Sequence, residues 1–147
     1  MGNFDGNGKK VTGVNYSGTE YPTFGFIGYV YDSVISNLTV EGGTISNTAL
    51  SASNGYQTGG VVGRLETFTG SAKIIGCSAK FTSISATGSS AYVGGVVGSV
   101  SDAAASGISI NGCRSEIGTI SSGTNSSEIM QLVLVVSLGT AAAQNAV

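Results

Sequence analysis

Histidine and tryptophan are absent from this chain, and proline occurs once. The commonest general base and metal ligand is therefore missing, which removes most catalytic and transition-metal designs. Charge is scarce as well. Only 10% of residues are charged, six Lys/Arg against eight Asp/Glu, and the formal net charge is −2. No basic patch is available to neutralise phosphates, so nucleic acid is not an expected partner. Strong helix formers such as Glu, Lys, Arg and Gln are few. The two cysteines, Cys77 and Cys113, do not by themselves fix a compartment. No charged-then-apolar leader opens the chain, because Met1-Gly2-Asn3-Phe4-Asp5-Gly6 is a polar turn sequence. The expectation is that a leader was removed or that the chain is a piece of a longer protein.

What is present is a β composition. Glycine accounts for 24 of the 147 residues, with no every-third spacing, so a collagen helix is excluded. Ser, Thr, Val and Ile are abundant, which suits strands joined by tight corners. Apolar residues make up 41%, too many for a disordered linker and enough for one domain with a core.

The sequence repeats itself. Gly60-Val61-Val62-Gly63-Arg64-Leu65 returns as Gly95-Val96-Val97-Gly98-Ser99-Val100, and a looser copy, Gly25-Phe26-Ile27-Gly28-Tyr29-Val30, lies as far upstream. A second block follows each copy: Leu38 to Ser46, Cys77 to Ser85 and Cys113 to Ser121, all of equal length. Joins of unequal length between equal blocks are what strands and corners produce. A period of about 35 residues without 3.6-residue apolar spacing predicts a coil of two or three short strands, stacked on its neighbours.

Stacking the blocks gives an aliphatic column of Ile45, Ile84 and Ile120, and another of Leu38, Cys77 and Cys113. Alternation of side chains then turns Val40, Ala79 and Ser115 inward and Glu41, Lys80 and Glu116 outward. Lys80 would lie between two carboxylates. In the Gly-rich block the period is ambiguous. The favoured arrangement has Phe26/Val61/Val96 and Val30/Leu65/Val100 inside, with Ile27/Val62/Val97 exposed or covered by a neighbour. A strand buried on both faces is the open alternative.

At this point the residues resemble a known family. Phe4-Asp5-Gly6-Asn7-Gly8-Lys9-Lys10-Val11-Thr12-Gly13-Val14 resembles the leading strand-turn of bacterial surface proteins that carry GLUG-type repeats. The Gly-Gly-Val-Val-Gly blocks resemble the GLUG motif itself, with Val-Val where Leu-Val or Ile-Val is usual. Ile75-Gly76-Cys77-Ser78 and Ile110-Asn111-Gly112-Cys113-Arg114-Ser115 also fit. The resemblance covers roughly residues 2–123. It implies a secreted or cell-surface bacterial protein, often adhesin-like, in which the repeats serve as stalk or display elements. It supplies no catalytic residues.

The end of the chain departs from the pattern. A fourth glycine block is due near residue 129, but Ile129-Met130-Gln131-Leu132-Val133-Leu134-Val135-Val136-Ser137-Leu138-Gly139-Thr140 stands there instead. One coding of Leu132 to Thr140 reads, in another frame, Gly-Ala-Gly-Gly-Ile-Val-Gly-Tyr. A frame slip near residue 128 is one reading of 129–147; a native capping strand is another. A membrane anchor ranks lowest, because an apolar run of about 15 residues falls short of the ~20 needed to span a bilayer.

Other motifs carry less. Asp5-Gly6-Asn7-Gly8 lacks the later bidentate Glu of a calcium loop, so a tight hairpin turn is expected there. Cys77 and Cys113 are expected close together, as a reduced ladder in preference to a disulfide. The aromatics Tyr16, Tyr21, Phe24, Phe26, Tyr29 and Tyr31 could stack on sugars, but the favoured expectation is that they close the end of the stack. Thr44, Ser46, Ser83, Ser85, Thr119 and Ser121 flank the inward isoleucines and form two outward hydroxyl columns, the candidate ligand-binding face for glycan or ice. Among the acids only Glu41 and Glu116 share a column, which does not make the paired carboxylates of a glycosidase.

The expectation is thus an all-β chain: a parallel, right-handed β-helix or related solenoid of about three coils. One domain would span 1–128, with blocks near 24–46, 59–85 and 94–121. Its role would be a structural stalk or display segment without catalysis, cofactor or metal, extracellular or on the cell surface. Expected partners are a glycan or host-surface ligand, or another copy through the ends or the tail. A carbohydrate- or ice-binding module is the rival reading, and no membrane span is expected.

Overall fold

The structure, a computed structural model, describes residues 2–48, 56–88, 91–102, 107–122 and 130–132. Strands dominate them and no helix occurs among them. In chain order β1 (Phe4–Gly18) is followed by β2 (Thr23–Phe24), β3 (Ile27–Tyr31) and β4 (Val34–Asn47). Then come β5 (Tyr56–Gly59), β6 (Val62–Thr67), β7 (Ala72–Ile75) and β8 (Ser78–Ala86). The next set is β9 (Ala91–Gly94), β10 (Val97–Asp102), β11 (Ile108–Asn111) and β12 (Arg114–Ser122), with β13 (Met130–Leu132) after it.

These strands form three sheets, and every pairing is parallel. The long sheet contains β1, β4, β7 with β8, and β11 with β12. The second sheet has the order β10-β6-β3, and the third β13-β9-β5-β2. The chain visits them in a fixed sequence, third, second, long, and then begins again. Parallel neighbours need such a crossover, because a tight hairpin can join only antiparallel strands.

The registers bring equivalent residues of successive blocks side by side. Ile45 pairs Ile84, and Ile84 pairs Ile120. Val40 pairs Ala79, which pairs Ser115. Ile45, Ile84, Val40 and Ala79 are fully buried, whereas Ile120 and Ser115, in β12 at the edge of the long sheet, are half-buried. Leu38, Cys77 and Cys113 are buried in the same apolar cluster, and both cysteines are free thiols. Each fully buried aliphatic side chain stabilises the fold by roughly 1.5–3 kcal/mol. Residues 133–147, with most of the anomalous apolar run, lie outside the described residues; Met130–Leu132 pairs in parallel with Tyr92–Gly94.

Backbone geometry repeats with the same period. Asn37, Gly76 and Gly112, just ahead of Leu38, Cys77 and Cys113, all have positive φ (52°, 60° and 62°). An L residue rarely adopts that conformation, and Asn and Gly are the usual exceptions. The glycine motif has a steric cause. A Cβ on Gly63 would lie 2.6 Å from the Gly28 carbonyl oxygen, and one on Gly98 would lie 2.6 Å from that of Gly63. Successive strands approach too closely here for any side chain.

Two expectations change. Asn7 and Gly8 do take positive φ (49° and 69°), but no hairpin forms. The chain bulges out of register between Asp5 and Lys9 and continues in β1, parallel to β4. Phe26 and Val100 are each 40% exposed, not inside. Val62 and Val97 are buried together with Val61 and Val96, as in the open alternative of a strand buried on both faces. The chain turns tightly into β6, since a Cβ on Gly59 would fall 2.1 Å from the Val62 carbonyl oxygen.

Asp32 ties the corner after β3 to the equivalent corner after β6. It has positive φ (43°) and is almost fully buried. Its carboxylate accepts from the backbone N–H of Phe68 (3.2 Å), Thr69 (3.4 Å) and Gly70 (3.2 Å), and from the Thr69 hydroxyl (3.5 Å). The donors belong to exposed residues, so the cost is the loss of hydrogen bonds to a charged acceptor, and Asp32→Ala is expected to cost about 2 kcal/mol. Urea denaturation measures this; an unchanged midpoint would show the corner to be solvated without Asp32.

Candidate functional site: an outward hydroxyl face

The long sheet turns its polar side chains away from the core. Thr44 pairs Ser83, and Ser83 pairs Thr119; Ser46 pairs Ser85, and Ser85 pairs Ser121. The six residues singled out from the sequence therefore lie in two adjacent columns on β4, β8 and β12. Neighbours are ~4.8 Å apart between strands and ~6.6 Å apart along a strand. Thr44, Thr119 and Ser121 are exposed, while Ser46, Ser83 and Ser85 are half-buried. Three of the hydroxyls are engaged: Ser83 Oγ donates to Thr44 Oγ1 (3.2 Å), and Ser85 Oγ donates to the Ile45 carbonyl (3.4 Å).

The columns extend one strand further than the sequence reading had them. Ser17 of β1 pairs Ser46, and the Asn15 side-chain oxygen accepts from the Thr44 backbone N–H (3.0 Å). Between them Tyr16 pairs Ile45. Asn15-Tyr16-Ser17 has the same polar-apolar-polar pattern as Thr44-Ile45-Ser46. The clue was there, but Tyr in place of Ile hid it.

A charged strip runs beside the hydroxyls. Lys10 Nζ meets Glu41 Oε1 at 2.9 Å, and Lys80 Nζ meets Glu116 Oε2 at 3.4 Å. Arg114 also pairs with Glu116. Lys80 thus binds one of its two expected carboxylates, and Lys10, from the unanticipated fourth strand, takes the other. These are exposed pairs, worth roughly 0.2–1 kcal/mol each. An open groove of about 460 Å³ lies along the strip, lined by Lys80, Phe81, Thr82, Glu116 and Ile117 with Gly42 and Gly118. Among the described residues no three His, Cys, Asp or Glu side chains gather as a metal site. Asp5 is occupied locally: its Oδ1 accepts from the Asn7 N–H (2.8 Å) and the Asn37 amide (3.0 Å). Those bonds, the Asn7 one first, hold its carboxyl below the usual range.

A second outward surface includes two of the aromatics expected to close the end of the stack. Tyr29 and Tyr31 alternate with the buried Val30 on β3, so their rings face solvent. They pair in register with Arg64 and Glu66 of β6. The Tyr29 hydroxyl donates to Glu66, Arg64 Nη2 lies 3.1 Å from Glu66 Oε2, and the guanidinium carbon sits 5.8 Å from the Tyr29 ring centre. The Tyr29 phenol is pushed up to about 12, by desolvation first and then by Glu66. Its protonated form is favoured by folding. The resulting stability is present below the ordinary phenol range near pH 10 and is lost as pH rises towards 12. The thermal midpoint should therefore fall over pH 10–12 more steeply in the wild type than in Tyr29→Phe; equal slopes would contradict the assignment.

No protein-family model matches the chain, and comparison with curated proteins and with solved structures finds no match. Among the described residues no helix is long and apolar enough to cross a membrane.

Proposed function

We propose that this chain is a non-catalytic structural segment, a parallel β-solenoid of about three coils that serves as a stalk or display element of a secreted or cell-surface bacterial protein. The observation that carries the reading is the register. Blocks separated by 35 to 39 residues pair strand upon strand with like residues adjacent, as in Ile27/Val62/Val97 and Ile45/Ile84/Ile120. Each pass through the three sheets then counts as one coil, right-handed in this reading. Stacked coils with shared hydrogen bonds give stiffness and reach, which is what a stalk needs. The resemblance to GLUG-repeat surface proteins supports the bacterial, extracellular and adhesion-related part. At one end β3 and β2 are terminal strands of their sheets, so self-association through that end belongs to the same reading.

The test is growth by repetition. Inserting a second copy of residues 60–94 should lengthen the particle by about 4.8 Å at constant cross-section. Small-angle scattering measures both, and a particle that thickens isotropically would contradict the stalk.

A second reading, a carbohydrate- or ice-binding module, is favoured by the in-register hydroxyl columns. Thr44→Leu with Thr119→Leu should abolish glycan binding or thermal hysteresis in that case and leave the fold intact. Indifference of both activities to the double substitution would remove it.

A further inference from the structure

We propose that the outward face formed by Tyr29, Tyr31, Arg64 and Glu66 is a binding subsite for a neutral polysaccharide, whose pyranose rings lie against the tyrosine rings. This goes beyond the stalk reading and stands whether or not that reading holds.

Tyr29 is 50% and Tyr31 37% exposed, while Val30 between them is buried at 3%. The strand therefore spends its core-facing position on Val30 and presents both aromatics to water. They do not close the end of the core. Their planes lie within 12° of each other, with ring centres 6.4 Å apart. Clustered exposed apolar surface of this kind is uncommon on soluble proteins without a partner.

The Tyr29 ring is also held. Glu66 accepts the Tyr29 hydroxyl and pairs with Arg64, and Arg64 lies against the Tyr29 ring. A tyrosine has few rotatable bonds and loses little freedom on binding, and fixing it in advance lowers the cost further. In the next strand Ser99 pairs with Arg64 and Ser101 pairs with the Glu66 position, which extends the face with hydroxyls. An apolar hollow of about 420 Å³ adjoins the tyrosines, with Phe4 and Phe26 on its wall.

The ligand class follows from complementarity. A pyranose ring has a C–H face, which suits a flat aromatic surface, and a rim of hydroxyls, which suits a carboxylate and a guanidinium side by side. Flat aromatics with a few placed polar groups are the usual make-up of a ligand site. The Arg64–Glu66 pair has no net charge, which selects a neutral glycan over a uronate or sulfated one.

The test is affinity electrophoresis of the intact chain through gels containing a neutral mixed-linkage β-glucan, xylan or galactan, with polygalacturonate as the acidic comparison. Tyrosine emission gives the dissociation constant, since the chain has no tryptophan. Retardation by a neutral gel is expected. Tyr31→Ala should weaken binding about tenfold and Tyr31→Phe less than about threefold. The far-ultraviolet spectrum of both variants should be unchanged, because the ring is outside the core. Thr44→Leu with Thr119→Leu should bind as the wild type does. The proposal is overturned if no neutral gel retards the wild type, if polygalacturonate retards it more strongly, if Tyr31→Ala binds undiminished, or if the threonine pair is what matters.

Discussion

Ile84→Asp should leave the chain unfolded at about 25 °C, as a loss of the β-type circular dichroism signal and of any cooperative melt. Ile84 is fully buried between Ile45 and Ile120 in register. The substitution removes roughly 1.5–3 kcal/mol of apolar burial. It also places a carboxylate with no partner in the shared interior, which costs several kcal/mol more. Together these approach the roughly 5–15 kcal/mol that holds a typical domain together. Ser83→Asp, one residue away on the outward face, is the control and should cost under about 1 kcal/mol. A folded Ile84→Asp protein would place residue 84 at the surface.

Deleting one whole repeat should be far less damaging than deleting half of one. Removal of residues 60–94 joins Gly59 to Gly95 and restores the sequence Thr58-Gly59-Gly95-Val96-Val97-Gly98. In the proposed solenoid β12 then takes the place of β8 beside β4, with Ile120 against Ile45 and Cys113 against Leu38. A cooperative melt should survive at a lower midpoint. Glu116 would now face Glu41 without Lys80 between them, so added salt should recover part of the loss, on the order of 0.2–1 kcal/mol. Removal of residues 60–77 alone takes the same strands out of step and exposes the core positions of every later block; that variant should not fold. Equal tolerance of both deletions, or collapse of both, would contradict stacking by whole repeats.

Much of this was readable from the residues because repetition does what an alignment otherwise would. The matched blocks located the isoleucine column, the Val40/Ala79/Ser115 row and the hydroxyl columns, and their registers agree. Where the copies diverge, the sequence misled. β1 has Tyr16 where the others have isoleucine and bulges at Asp5/Lys9, so it reads as a turn and not as a fourth long strand. The Val62 column could not be placed by alternation, because Val61 and Val62 are adjacent and both buried, whereas alternation assigns only one of them to the core. Asp32 gave no clue at all: its role depends on three backbone N–H groups 36 to 38 residues away. The tyrosine patch was masked by a true generalisation, that aromatics often seal the end of a stack. Only the burial of Val30 shows which way its neighbours face.

The most direct test is the pattern of interstrand nuclear Overhauser effects in a chain of 14.6 kDa, well within reach of solution NMR. Backbone contacts should link residue 45 to residue 84 and residue 84 to residue 120, with the staggered spacing of parallel strands. Contacts joining neighbours in sequence, such as β3 against β4 in an antiparallel hairpin, would show instead that the repeats fold singly and do not share one interior.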